Sequence, residues 1–227
     1  MTDARTTDRP RVLVIGLDGA TFDLITPWVD KGELPCFKRL LQEGGHGELK
    51  AIPIASSPQS WSSFMTGKNP GKHGVFFFTE RIPGTYDVQF ANARSRKGKS
   101  LWRIASNGGK KVVAVNVPMT YPPEEVNGAM ISGFDAPDTT NFVYPPELER
   151  EIRHILKDYI IDLRLRSSVT KNKRGEVLEG LKLMEEQRYK LCEHMMDRCD
   201  WDLFMVVFNA TDRVQPVSYT HLRAHET

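Results

Sequence analysis

Asp18, Ser57 and Asp212 are the three residues of this chain whose types and settings could do chemistry together. Asp18 closes the apolar run Val12-Leu13-Val14-Ile15-Gly16-Leu17 and is followed by Gly19. Ser57 stands directly before Pro58, and a hydroxyl residue followed by proline signals the start of a helix. Asp212 comes four residues after a second apolar run, Leu203-Phe204-Met205-Val206-Val207-Phe208. Reactive groups in open α/β sheets gather beyond the carboxyl ends of the strands. Carboxylates delivered there by different strands can hold hard or borderline cations beside a nucleophile. A hydroxyl at a helix start lies near free backbone N–H groups and the positive helix end, which favour an alkoxide and an anionic substrate. A neighbouring cation would lower the hydroxyl pKa further.

Singly, each residue also has an ordinary structural reading. Asp18 before Gly19 is a common turn acid. Ser57 is an ordinary helix cap, with Ser56 as its adjacent competitor, and Asp212 could cap a helix of its own. The combination carries the functional reading, and it requires elements that end where these residues sit. Short continuous apolar runs predict strands buried on both faces over 12–17, 112–117 and 203–208, with weaker strands over 47–54, 75–79 and 129–132. Helical spacing and capping residues predict helices over 22–29, 35–42, 57–67, 100–107 and 145–156, and a long amphipathic one over 174–198. The segment 69–74 reads as a loop. Trp61, Phe64 and Met65 form the apolar stripe of the helix that opens at Ser57. Strands alternating with helices imply an α/β fold with a mostly parallel sheet sandwiched between helices.

Several function classes recede on composition. A net charge of +2 in 227 residues argues against a nucleic-acid partner held by electrostatics. No apolar stretch is long enough to span a membrane. Three cysteines, Cys36, Cys192 and Cys199, form no CxxC pair, and reduced thiols fit a cytoplasmic home. Residues 1–10 read as a flexible leader and 11–215 as the domain itself, in which 159–173 could form an excursion or a cap over the site. Residues 216–227 break the preceding pattern and read as a non-native tail, so His221 and His225 are set aside.

Gly16 to Gly19, the stretch Ser57-Pro58-Gln59-Ser60-Trp61 running on to Lys72-His73-Gly74, and Asn209 to Gln215 resemble the alkaline phosphatase superfamily. More narrowly, they resemble its type I phosphodiesterase/nucleotide pyrophosphatase family, which Asn116-Val117-Pro118-Met119-Thr120-Tyr121-Pro122-Pro123 also fits. The resemblance implies an alkaline phosphatase-like sheet, incomplete in this chain, and two divalent metal ions, most often zinc. It implies that Asp18 and Ser57 serve one metal and Asp212 the other, with Ser57 as the nucleophile. The implied substrate is a small-molecule phosphate ester or nucleotide. A phosphomonoesterase, a phosphonate hydrolase or a non-catalytic binding protein of the same fold are the alternatives. The family also expects a histidine four residues after Asp212, where this chain has Pro216, and further acid and histidine ligands later still. The chain is therefore expected to correspond to the N-terminal half of such an enzyme, to bind metal poorly and not to turn over.

Other signals are weaker. Ala93 to Ser100 loosely matches a phosphate-binding loop but follows no buried strand. The sulfatase motif needs an arginine two residues after the proline, where this chain has Ser60. His73 reads as a structural hydrogen-bonding residue rather than a ligand.

Overall fold

The computed structural model describes residues 9–53, 56–137, 139–163 and 174–219, the last four by their backbone alone. In chain order they form β1 (Val12–Leu17), α1 (Phe22–Asp30), α2 (Pro35–Glu43), α3 (Ser57–Thr66), α4 (Pro70–His73), β2 (Thr79–Arg81), β3 (Val88–Phe90) and α5 (Leu101–Asn107). There follow β4 (Val112–Val117), β5 (Gly128–Ser132), β6 (Val143–Tyr144), α6 (Leu148–Ile155), α7 (Arg174–Arg198), β7 (Leu203–Phe208) and α8 (Ala210–Tyr219). The main sheet has the order β1-β7-β4-β5-β6 and is parallel except for the β5–β6 pair. The expected mostly parallel α/β architecture is what the chain adopts.

The inner strands show why. All six residues of β4 are buried, as a parallel strand covered on both faces requires. Successive side chains alternate between faces. Val113, Val115, Phe204 and Val206 join Leu191 and Met195 of α7 in one core. Val112, Ala114, Met205 and Val207 join Met65 of α3 and Trp102 of α5 in the other. At the edge of the sheet, β1 leaves Val12 and Ile15 more than half exposed despite their apolar character.

That exposure corrects the expectation of a strand over 12–17 buried on both faces, and further expectations need correction too. No strand forms over 47–53, and Ile54 lies outside the described residues. Leu49 there is almost wholly exposed, so no apolar face draws the segment into a sheet. Over 75–79, Val75 is buried but Phe76 and Phe77 point outward, and pairing begins only at Thr79, in a two-stranded hairpin with β3. The loop at 69–74 contains the one-turn helix α4, capped by the Asn69 side chain, which accepts from the Lys72 N–H at 3.1 Å. The 145–156 helix starts only at Leu148, after a turn in which Pro145 and Pro146 carbonyls accept from Leu148 and Glu149. Of the possible excursion at 159–173, Tyr159 and Ile161 are buried in the core, and 164–173 lies outside the described residues. Helix α8 continues to Tyr219, four residues into the stretch that the sequence set apart. Among the described residues, no helix is long and apolar enough to cross a membrane.

Candidate functional site

The parallel pairing of β1 with β7 sets Leu17 beside Phe208, so both chains leave the sheet at the same level and on neighbouring paths. The Asp18 N–H donates to the Phe208 carbonyl at 2.9 Å and carries the pairing one residue further. Beyond it the two turns interlock. The Thr211 hydroxyl donates to the Asp18 carbonyl, and the Gln215 amide donates to the Gly19 carbonyl at 2.6 Å. Gly19 has φ +74°, and a Cβ there would lie 2.8 Å from the Asp212 Cα. Only glycine permits this approach without strain.

Two acids are thereby held side by side. Burial, and after it the charge of Asp212, push the Asp18 carboxyl up from the ordinary carboxylate value to about 6. A hydrogen bond from the Trp61 side chain, the Arg213 charge and the Gly19 backbone partly oppose that shift. One Asp18 oxygen, Oδ2, is buried with no hydrogen-bond partner. A crowded, incompletely satisfied carboxylate pair is a poor arrangement for a protein alone, and a cation placed between the two acids would relieve it. Asp212 itself lies in the first turn of α8.

Ser57 is placed differently from its expected position. It is the first residue of α3, and the cap is Ser56, in extended conformation, whose carbonyl accepts from the Ser60 N–H at 2.9 Å. Pro58 then occupies the second helical position, which tolerates its missing N–H equally well. The Ser56 hydroxyl caps nothing and is buried without a partner. Trp61 stands one turn after Ser57, at the i,i+4 spacing that puts two residues on one helix face. Its ring would also touch any side chain at Gly16, where a Cβ would lie 2.8 Å away. Trp61 was legible only as a packing residue, although its spacing from Ser57 was the available clue.

A cavity of about 620 Å³ is lined by Phe78, Phe90, Tyr121 and Phe134 together with Asp162 and Arg213, and reaches the acid corner only through Arg213. Arg213 follows Asp212 directly, sits 4.9 Å over the Phe134 ring, and is held by Asp162 through two bonds of 3.0 and 2.8 Å.

A model of the type I phosphodiesterase/nucleotide pyrophosphatase family matches residues 12–217. The chain belongs to that family. Two solved structures of phosphonoacetate hydrolase from Sinorhizobium meliloti 1021, in complex with phosphonoacetate and with phosphonoformate, share its fold. Each has a TM-score of 0.50 and 14% identity, and they match 90% and 89% of this chain respectively. The chain spans about half of those structures, 47% of each. No curated protein sequence matches it.

Within this phosphodiesterase-family chain, the structure brings Asp18 and Asp212 together and places Ser57 one turn before Trp61, whose side chain acts on Asp18. Among the described residues, no third His, Cys, Asp or Glu joins the two acids in a metal-holding group. His73 is fully buried elsewhere. Its Nδ1 accepts from the Val75 N–H at 3.1 Å, so Nε2 carries the hydrogen and donates to the Ser63 hydroxyl 3.0 Å away. The resembled phosphate loop is likewise structural. Arg96 is buried against the Met119 carbonyl and Glu124, and Ser100 caps α5.

Burial, followed by the charge of Arg96, lowers the His73 pKa from 6.5. A base whose folded pKa is depressed contributes stability above its unfolded pKa, and that stability is lost as pH falls below it. Wild-type melting temperature should therefore drop from about pH 7 to about pH 5 more steeply than that of His73→Gln. Thermal melts across that range check this, and parallel slopes would reject the role given to His73.

Proposed function

We propose that Asp18, Ser57 and Asp212 are part of the site of a metal-dependent hydrolase of phosphate esters, of phosphodiesterase or pyrophosphatase type. The observation that carries this reading is the paired carboxylate corner, with its unpartnered Asp18 oxygen, at the ends of adjacent parallel strands. Asp18 and Ser57 would hold one divalent ion and Asp212 a second. Zinc is the expected metal on family grounds, since carboxylate and hydroxyl oxygens alone suit several divalent cations. When bound, such ions neutralise phosphoryl charge and lower the pKa of a neighbouring hydroxyl.

The chain's own part in the chemistry is positioning and attack. The Ser57 hydroxyl loses its proton to solvent, and its oxygen bonds to phosphorus as the ester P–O bond breaks and the alcohol leaves. Water then hydrolyses the phosphoserine and restores the hydroxyl. Free N–H groups in the first turn of α3 suit a nonbridging phosphoryl oxygen. The aromatic-walled cavity beside Arg213 supports an ester bearing an apolar organic group. The three free thiols support a reducing, cytoplasmic setting. With two acids and no third ligand among the described residues, the 227-residue chain should bind metal weakly and not turn over.

Titration with Co²⁺ tests the reading. Binding should be saturable and lost in both Asp18→Asn and Asp212→Asn. Binding unchanged by Asp212→Asn would defeat the proposal. The same variants give a second readout. A carboxyl whose folded pKa is raised destabilises the fold once pH exceeds its unfolded value of 3.8. Metal-free Asp18→Asn should therefore be more stable than wild type by about 1 kcal/mol at neutral pH, allowing for the water that still reaches the site. That gain should shrink as pH falls below about 6 and vanish below the unfolded value of 3.8, where the carboxyl is protonated in both folded and unfolded chains.

A further inference from the structure

We infer that Glu185 and Arg188 of α7 form a positioning device for the turn between β7 and α8, and so set Asp212 against Asp18. Arg188 is fully buried, uncommon for a side chain that carries its charge at any physiological pH. It binds Glu185 one turn earlier, donates to the Asn209 side-chain oxygen at 2.9 Å, and donates to the Ile161 carbonyl at 3.0 Å. Glu185 turns its other oxygen to the chain where it leaves β7, accepting from the Asn209 N–H at 2.9 Å and the Ala210 N–H at 2.7 Å.

Those N–H groups lie at the start of α8, where a helix has no partners of its own for them. A carboxylate there satisfies two donors and meets the positive end of the helix. Because the carboxylate belongs to α7, a helix packed against the sheet, the start of α8 is fixed to the core and not merely capped. Asn209 extends the grip, donating to Asp162 at 3.1 Å, and Asp162 holds Arg213. Asp212 thus lies between two clamped neighbours, Ala210 and Arg213. Its own carboxylate takes no part in these bonds, and its charge acts on Asp18. A plain structural anchor needs no such arrangement, since α7 already packs through Leu191 and Met195.

The consequence for metal binding rests on the proposed function, whereas the positioning of the turn does not. Glu185→Ala removes the acceptor. Glu185→Gln keeps one oxygen for the two backbone donors and gives up the charge. Amide hydrogen exchange in metal-free protein should speed up by about tenfold or more at 209–213 in Glu185→Ala, with β7 unchanged, and return towards wild type in Glu185→Gln. Co²⁺ binding should weaken about tenfold in Glu185→Ala and recover in Glu185→Gln. Exchange that rises uniformly through α7 and β7, or not at all, overturns the proposal. So does wild-type Co²⁺ affinity in Glu185→Ala. If the wild type binds no Co²⁺, the proposed function fails by itself, and the exchange pattern alone decides whether the device exists.

Discussion

Ser57→Ala, made in a chain extended to the length of its structural relatives, should lower kcat/KM for bis-p-nitrophenyl phosphate by about 10⁴-fold. That loss equals ~5.5 kcal/mol of transition-state stabilisation. The expectation follows from covalent catalysis. If the phosphoryl group must pass through the Ser57 oxygen, no neighbouring side chain can take over without moving the helix that carries it. Residual activity should reflect charge neutralisation and binding alone. Melting temperature should stay within a few degrees of wild type, because α3 gains its cap geometry from Ser56 and buries Pro58, Gln59, Ser62 and Met65 rather than Ser57. Ser56→Ala is the control. Its hydroxyl is buried and unpartnered, so removing it should leave turnover largely intact. An inactive Ser56→Ala beside an active Ser57→Ala would move the nucleophile one residue upstream.

How much of this corner could be read from the sequence depends on what an apolar pattern reports. Continuous runs such as Val112 to Val117 and Leu203 to Phe208 announce burial on both faces, and those strands lie at the centre of the sheet. Once β1 and β7 are strands, the acids beyond their ends are natural neighbours, and the structure pairs them directly. Partners are another matter. Nothing in the spacing of α7 distinguishes Arg188, wholly buried, from the solvated arginines and lysines around it. Its burial is decided by Asn209 and Ile161, which no local window contains. Trp61 misled in the opposite sense, since an aromatic at helical spacing reads as core whether or not its N–H has a task. The segment 47–53 shows the limit of β propensity, which counts only when a second strand and an apolar face are available.

Gly19→Ala is the stability change with the largest expected consequence for the site, and its logic is purely geometric. At φ +74° an L-residue is strained by about 1 kcal/mol before any contact is considered. The added methyl would then stand 2.8 Å from the Asp212 Cα and 2.9 Å from the Gln215 amide nitrogen. The amide can swing away, at the cost of its bond to the Gly19 carbonyl. The Cα cannot, because Ala210 and Arg213 on either side are held by Glu185 and Asp162. The β1 turn must therefore yield, which stretches the Asp18 N–H bond to Phe208 and moves Asp18 away from Asp212. Strain and overpacking together should cost about 2–4 kcal/mol, measurable as a lower urea midpoint. Co²⁺ affinity should fall at least as far as in Asp18→Asn, although every proposed ligand is retained. Gly32→Ala, also at positive φ but with nothing within 4 Å of the new methyl, isolates the backbone strain and should leave Co²⁺ binding untouched. Equal Co²⁺ affinity in Gly19→Ala and wild type would mean that the close approach of the two turns does not set the spacing of the acids.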